Sequence, residues 1–176
     1  MIAGLVLSDS EEVESALAFF GEDSVETFSV LETEKIVDEI CEREPDVLAV
    51  DTGAEVRKDL TENEEELKEE GFMFTPSSME KKKVKRFQAI QRTVNHRTGT
   101  GVEFIRFDPH ISSEELAADT EDALESYGVD TSTLDSSREF DALLGAVTAR
   151  FYQQGDVRDF GIIVPGETGE DDTKKA

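Results

Sequence analysis

Apolar residues along this chain fall into short continuous runs, typical of buried strands, and into longer stripes at helical spacing. The clearest run, Val47 to Val50, follows Pro45 and stops at Asp51, which predicts a strand buried on both faces of a helix-covered sheet. In open α/β sheets ligands bind beyond the carboxyl ends of the parallel strands, so Asp51 lies where chemistry is expected. The structural alternative is a polar strand end followed by a Thr-Gly turn.

The segment before this run contains further strand patterns. Residues 4–9 predict a first strand that ends on Asp9. Residues 10–21 fit two interpretations: their apolar positions suit a capped helix, and the segment 15–20 also suits a short strand that ends in two aromatic residues. The local pattern slightly favours the helix. Residues 25–31 are rich in β-branched and aromatic side chains and predict a strand.

Helical stripes account for most of the remaining chain, and the last is the best defined. It follows Ser136, a capping residue, and ends before Gly155. Beside its apolar stripe, Asp141, Gly145 and Thr148 form a row in which small residues would let the helix approach a neighbour closely. The other predicted elements are a helix that opens at Thr33, a charged helix from Arg57 to Gly71, a basic helix within 81–100, a strand over 102–107 that closes at Asp108, a helix capped by Ser112 or Ser113, and an apolar segment at 162–165.

Length and cysteine content bound the class of protein. The 176 residues predict one domain with a core that needs no disulfide or metal as a staple. Cys41 is the single cysteine, which excludes a disulfide scaffold and predicts a reduced, cytoplasmic setting. No apolar run approaches the ~18 residues of a membrane span, so no membrane partner is expected. The domain is predicted over 1–165, with a flexible acidic tail over 166–176.

Acidic residues dominate the charge of the chain. It has 42 Asp and Glu against 18 Lys and Arg, a net charge of -24, although 37% of its residues are hydrophobic. An acid coat of this size repels itself unless salt screens it, and at about 1 M salt the Debye length is only about 3 Å. A high-salt cytoplasm, as in a halophile, is the preferred interpretation. The alternative is an ordinary acidic protein with a basic partner.

Residues 81–100 break this acidic pattern, because the window contains seven cations and no acid. Apolar residues at helical spacing within it predict a helix. A basic helix on an acidic domain suggests contact with the phosphate backbone of DNA or RNA. The alternative is a helix that neutralises nearby surface acids. The candidate nucleic-acid contacts are Lys81, Lys82, Lys83, Lys85, Arg86 and Arg92.

The candidate catalytic residues are carboxylates. No glycine-rich phosphate loop or nucleophile elbow is present, and His96 and His110 lack partners at metal-ligand spacing. Asp9 and Asp51 end predicted strands, and Asp141 lies near the start of the last helix. Clustered carboxylates bind Mg²⁺ or Mn²⁺ and leave coordination positions for phosphate and water, as hydrolysis of a phosphodiester requires.

Several of these segments carry a resemblance to a known family. Residues 5–9 followed by 15–20 are similar to a first hairpin in which an Asp ends an apolar strand, and 47–53 is similar to a later strand that ends in an acid. The segments 140–147 and 162–165 are the most specific, since an Asp-Ala-Leu helix precedes an apolar segment that ends in Pro. The chain resembles the RNase H-like superfamily, specifically its predicted nucleases of otherwise unknown function, with a weaker likeness to RuvC-type resolvases.

The resemblance implies an α/β fold of the RNase H-like type, with a mixed central sheet of about five strands flanked by helices. A charged helical insertion would span about 57–100. The resemblance favours a strand at 15–20 and, together with the acid coat, a haloarchaeal member of the family. It also implies a site in which Asp9, Asp51 and Asp141 hold Mg²⁺ or Mn²⁺ and catalyse hydrolysis.

Two departures from the family pattern bear on activity. Arg138 stands three residues before Asp141, where the family usually has His. Arg106 and Asp108 stand where the fifth strand often offers an acid and His-Pro. A cation at Arg138 would replace the charge of a second metal or hold the scissile phosphate. Arg138 and Asp108 are therefore further candidate site residues.

Three hypotheses from different classes follow. The favoured one is a metal-dependent nuclease that hydrolyses phosphodiester bonds of DNA or RNA. The second is a catalytically inactive RNase H-like module that binds nucleic acid or protein. The third is an adaptor whose basic helix meets another acidic surface.

Overall fold

The computed structural model describes residues 1–166, so 167–176 of the predicted acidic tail lie outside the described part of the chain. A short 3₁₀ turn at Ser77–Glu80 leads directly into the basic helix. The strands and helices, in chain order, are β1 (Ile2–Val6), β2 (Ser15–Phe20), β3 (Val25–Val30), α1 (Thr33–Arg43), β4 (Val47–Val50), α2 (Glu62–Glu69), α3 (Lys81–Thr98), β5 (Glu103–Arg106), α4 (Pro109–Glu115), α5 (Glu121–Glu125), α6 (Ser137–Gln154), β6 (Val157–Asp159) and β7 (Ile163–Pro165).

A mixed five-stranded sheet forms the centre of the fold, in the order β3-β2-β1-β4-β5. The first three strands form an antiparallel meander, whereas β4 runs parallel to β1 and β5 runs parallel to β4. The strands β1, β2 and β4 are buried along their whole length, because helices cover both faces. The predicted α/β class is confirmed, and residues 15–20 form a strand rather than a helix.

Different helices cover the two faces of the sheet. On one face α6 packs across β1, β2 and β4, with Leu143 and Val147 in the core. On the other face α1 and α3 pack together, and α3 contributes Phe87, Ile90 and Val94 to the second core. The basic window is therefore a layer of the fold, and only its outer surface is left for a partner.

Two glycines mark the closest approach between α6 and the sheet. A Cβ on Gly4 would overlap the carbonyl oxygen of Ala142, and a Cβ on Gly145 would lie 2.7 Å from the ring of Phe107. Neither position has room for a larger side chain without movement of the helix. The small residues predicted to permit close packing of the last helix do so at Gly145. This crossing fixes the position of Asp141, one helical turn earlier.

The first strand is shorter than predicted. It ends at Val6, and Asp9 lies three residues beyond it on an exposed bend. The strand ends early because the next two backbone N–H groups donate to side chains instead of continuing the ladder, to Asp51 Oδ1 and to Ser15 Oγ, each at 2.9 Å. The prediction that Asp9 ends the strand is wrong.

The helix predicted to start at Ser112 or Ser113 begins earlier. Asp108 caps α4 by accepting two backbone N–H groups, and the proline that follows it suits the first helical position. Ser112 lies buried within α4, where its hydroxyl hydrogen-bonds to that of Thr148 on α6. The predicted helix does not continue beyond this point: α4 ends at Glu115, and Ala123 and Leu124 lie in a separate helix, α5, which Thr120 caps.

The regions outside the sheet are less regular than predicted. The charged helix predicted from Arg57 to Gly71 is shorter in the structure. Only α2 is helical, because Thr61 caps the helix and sets where it begins. The apolar segment near the C-terminus forms a hairpin, in which β6 pairs with β7. A small third core joins these parts through Leu67, Phe72, Ile111, Ile162 and Val164. An insertion with boundaries at 57–100 stays a prediction.

Within residues 1–166, no helix combines the length and the apolar character that crossing a bilayer requires.

Candidate functional site

The carboxyl ends of the central strands open into a cleft. Leu5 of β1 is in register with Val50 of β4, so Val6 lies beside Asp51. The cleft has a volume of about 750 Å³ and lies between this edge of the sheet, the start of α3 and the first turns of α6. We call it the strand-end cleft. Its charged lining consists of Asp9, Asp51, Glu80, Asp141, Lys81, Lys82, Lys83 and Arg138.

Asp51 is held by a contact on each of its carboxylate oxygens. Oδ2 lies 2.8 Å from Nζ of Lys83, and the side chains of Asp51 and Lys83 are only 8% and 16% exposed. Oδ1 accepts the backbone N–H of Leu7 at 2.9 Å. Burial raises the pKa of Asp51 above its ordinary value, and the charge of Lys83 and the Leu7 N–H oppose this shift. These contacts fix both the orientation and the charge partner of the carboxylate.

Asp141 lines the cleft from α6 in a different environment. Burial, followed by the negative charges of Asp51 and Asp108, raises the pKa of Asp141 to about 6. The positive charge of Arg138, one turn earlier on the helix, opposes the shift only in part. The Asp141 carboxyl group is therefore poised to exchange a proton close to neutral pH.

Arg138 and Asp108, the two further candidate residues, differ in their position relative to the cleft. Arg138 lines the strand-end cleft. Asp108 does not line the cleft. Its Oδ1 accepts the N–H groups that begin α4. It acts on Asp141 only through its charge.

The side chains as folded do not fit the predicted Mg²⁺ or Mn²⁺ site. Among residues 1–166, no group of three or more His, Cys, Asp or Glu side chains is placed to hold a metal ion. Asp9 lies on an exposed bend, and Oδ2 of Asp51 is ion-paired with Lys83. The strand position beside Asp51 is Val6, which offers no ligand. The structure thus brings Asp9, Asp51 and Asp141 to one cleft without assembling them into a set of metal ligands.

The cations of the basic window divide into internal and exposed positions. Lys83 pairs with Asp51, and Arg86 donates to backbone carbonyl oxygens of three loop residues at 2.8 to 3.0 Å. Burial lowers the pKa of Arg86. Two of the six predicted nucleic-acid contacts are therefore engaged within the protein, where Arg86 ties α3 to the loops after β1 and β3. The other four predicted contacts, Lys81, Lys82, Lys85 and Arg92, are exposed. Arg97, the seventh cation of the window, is exposed but ion-paired with Asp38.

A second cavity, of about 600 Å³, was not predicted from the sequence. It begins at Thr52, directly after Asp51, and contains Glu64, whose side chain is 6% exposed. Oε1 of Glu64 lies 3.6 Å from Nη1 of Arg106 at the end of β5. The sequence did single out Arg106 as a cation at a strand end. It gave no sign of the partner, because the charged segment containing Glu64 has no clear apolar stripe.

Comparison with known proteins bears on the fold. No protein-family model matches the sequence, and no curated protein matches it significantly. The structure of Thermus thermophilus RuvC in complex with a Holliday junction substrate aligns with 88% of this chain and 94% of its own, at a TM-score of 0.55 and 17% identity. Another Thermus thermophilus RuvC structure aligns with 93% and 98%, at a TM-score of 0.49 and 14% identity. The first similarity shows the RNase H-like fold that the sequence motifs predicted.

Proposed function

We propose that this chain binds nucleic acid, and that the strand-end cleft and the exposed face of α3 hold a phosphate backbone. The observation that carries the proposal is the charge of the cleft. Four cations and four carboxylates line it, in a chain whose net charge is -24. A polyanion approaching so acidic a protein meets the least repulsion at a neutral cleft with cations on its rim.

The exposed cations of α3 support the proposal by their alignment. At about 100° per residue, Lys81, Lys85 and Arg92 lie within about 40° of one another around the axis of α3, and they span about 16 Å along it. They differ from Arg97, whose guanidinium is ion-paired with Asp38 at 2.7 Å. A row of this kind follows a nucleic-acid backbone and contacts several phosphates without reading sequence.

The choice of ligand follows from the structural comparison. The RuvC structure with the higher TM-score is described in complex with a Holliday junction substrate. Four-way junction DNA is therefore included among the probes, together with duplex DNA, single-stranded DNA and single-stranded RNA. All probes are labelled, and binding is followed by fluorescence anisotropy across a series of KCl concentrations.

The test removes three charges from the proposed surface. Changing Lys81, Lys82 and Lys85 together to Gln should weaken binding and reduce the slope of log affinity against log salt by about 2 to 3. The matched control changes the exposed residues Lys35, Lys58 and Lys68 to Gln, which alters the net charge equally at other places on the surface. Equal losses in the two triple variants would show that only net charge matters and would remove the cleft from the proposal.

The metal-dependent nuclease is a second candidate, favoured by one specific observation. Asp51 and Asp141 line the same cleft, and after burial the negative charge of Asp51 is the next cause of the raised pKa of Asp141, so the two carboxylates repel each other. Mg²⁺ or Mn²⁺ would relieve this repulsion and, when bound, activate a water molecule for attack on phosphorus. Catalysis would require Asp9 to converge with Asp51 and Asp141, and Lys83 to leave Asp51.

The second candidate has its own test. Asp51→Asn removes the charge of a proposed ligand with little change in volume, so it should abolish any metal-dependent cleavage of labelled DNA or RNA and leave binding nearly intact. Cleavage that survives in Asp51→Asn would exclude the carboxylate site as its source. A cytoplasmic location, a high-salt environment and a haloarchaeal source stay predictions from the sequence.

A further inference from the structure

Lys83 forms an ion pair with Asp51 inside the strand-end cleft. Its Nζ lies 2.8 Å from Asp51 Oδ2, and the other oxygen of Asp51 accepts the backbone N–H of Leu7. Both oxygens of this carboxylate are thus engaged. A divalent ion at Oδ2 would compete with the ammonium group for this oxygen and would be repelled by its positive charge.

The rest of the strand-end cleft does not complete a set of metal ligands around Asp51. Val6 occupies the position beside Asp51 on the central strand, where a carboxylate would complete a pair. Asp9 is exposed on its bend, and Glu80 and Asp141 line the cleft from other elements. Among residues 1–166, no three of these acids are placed to hold one ion together, whereas Mg²⁺ or Mn²⁺ prefers about six oxygen ligands.

The position of Lys83 is maintained by the neighbouring turn of α3. Arg86, three residues later, donates from Nη1 to the carbonyl oxygens of Ser8 and Ser10 and from Nη2 to that of Leu31. These bonds hold the start of α3 against the loops after β1 and β3. With its backbone fixed and its side chain enclosed, Lys83 is pre-organised toward Asp51, unlike a lysine on the surface.

We propose that Lys83 is the resident cation of the strand-end cleft, and that its ammonium group takes the place of a divalent ion at Asp51. The folded protein therefore has the charge of Asp51 balanced and does not bind Mg²⁺ or Mn²⁺ at Asp51 and Asp141. The inference does not rest on nucleic-acid binding, because it concerns the protein alone. It gives a physical reason for an RNase H-like fold that binds without cutting.

The experiment is a Mn²⁺ titration followed at individual amides by ¹⁵N–¹H NMR in molar KCl, which suppresses weak binding to the acid coat. In the wild-type protein, the amide signals of Leu7, Asp51 and Asp141 should keep their intensity. In Lys83→Met, the same signals should broaden at Mn²⁺ concentrations at least about tenfold lower, since a competing cation has been removed. Lys68→Met is the matched control, with the same loss of charge at an exposed helical position outside the strand-end cleft, and should behave like the wild type.

Each outcome bears on the proposal. Broadening in the wild type at the concentrations that affect Lys83→Met would overturn it, as would a folded Lys83→Met that shows no broadening. In the double variant with Asp51→Asn, the gained effect should disappear. Should Lys83→Met fail to fold, Lys83→Gln is titrated in its place, because Gln keeps a hydrogen-bond donor toward Asp51. The wild-type titration stands without any variant.

Discussion

The two walls of the strand-end cleft carry the same chemical group in different surroundings. On the sheet wall, Asp51 is enclosed and ion-paired with Lys83 at 2.8 Å. On the helix wall, Asp141 is half-buried, and burial together with the charges of Asp51 and Asp108 raises its pKa to about 6. Burial raises the pKa of both carboxyl groups. At Asp51 an ion pair and a backbone N–H oppose this shift, whereas at Asp141 the charge of Arg138 opposes it and two neighbouring acids add to it.

The difference between the walls arises from how each is built. The sheet wall is assembled from β4 and α3, which are far apart in sequence and joined by the ion pair itself. The helix wall is part of α6, whose position is set by the glycine crossing on β1. We therefore expect changes on the two walls to differ in their effects on the unfolding free energy and on the pKa of Asp141.

Removal of the lysine should have the largest effect. Lys83→Met leaves Asp51 enclosed without its partner, and breaking a buried pair in this way costs about 3 to 5 kcal/mol of unfolding free energy. Denaturant unfolding at pH 7 in molar KCl measures this cost. The loss should be smaller at pH 5, because Asp51 then takes up a proton more readily. Lys82→Met, an exposed change on the same helix, should stay within about 0.5 kcal/mol of the wild type. Equal effects of the two variants would show that the ion pair contributes little.

Widening of the glycine crossing should have the next largest effect. Gly145→Ala places a Cβ 2.7 Å from the Phe107 ring, which should cost about 1 to 3 kcal/mol through movement of the helix or the ring. Moving α6 away from the sheet should also lower the pKa of Asp141 toward its ordinary value, since the carboxyl group becomes less buried and the field of Asp51 weakens. Thermal unfolding and carboxyl ¹³C titration measure the two effects.

A matched control separates this clash from the general effect of losing a glycine. Gly53→Ala would place its Cβ 3.5 Å from Nη1 of Arg106, an ordinary contact. It should therefore change stability by no more than about 0.5 kcal/mol. A Gly145→Ala protein as stable as the control, with an unchanged Asp141 titration, would contradict the account of the crossing.

The pH dependence of stability should identify the helix wall. Because the pKa of Asp141 is raised in the folded protein to about 6 from 3.8, its contribution is fully present below about pH 4 and is lost as pH rises through about 6. Asp141→Asn should remove this loss. Since the group is half-exposed, we expect a gain of only about 1 kcal/mol at pH 7 relative to pH 4. A difference between variant and wild type that does not change with pH would contradict the raised pKa.

The smallest effect should come from Asp9, the acid of the cleft lining that lies on an exposed bend. Asp9→Asn should alter the unfolding free energy by less than about 0.5 kcal/mol. The affinity of the Asp9→Asn protein for the nucleic-acid probes should equal that of the wild type within error. A marked loss of stability or affinity would show that Asp9 makes a contact that its exposed position does not suggest.

The parts of this fold that could be predicted are those whose pattern is local. Val47 to Val50 is a continuous apolar run because β4 is buried on both faces, and the last helix is bounded by Ser136 and Gly155, which cap it. The end of β1 was placed too late, because side-chain acceptors interrupt its ladder and leave no trace in the apolar pattern.

The candidate site shows the same limit more sharply. The sequence placed Asp51 and Asp141 at the ends of elements that meet, and the structure brings both to one cleft. The partner of Asp51 lies 32 residues away in the chain, beyond α2 and the 3₁₀ turn. Periodicity gives the face of α3 that is buried, but it does not indicate which of its lysines reaches across to a carboxylate.

Binding of nucleic acid without cleavage is tested most directly by measuring both in one sample. Labelled four-way junction, duplex and single-stranded probes are incubated with the protein in high KCl with Mn²⁺ and divided between a native gel and a denaturing gel. We expect a retarded complex on the native gel and intact strands on the denaturing gel. The change of Lys81, Lys82 and Lys85 to Gln should weaken the complex. Strands cut by the wild-type protein and left whole by Asp51→Asn, or the absence of any complex, would contradict binding without cleavage.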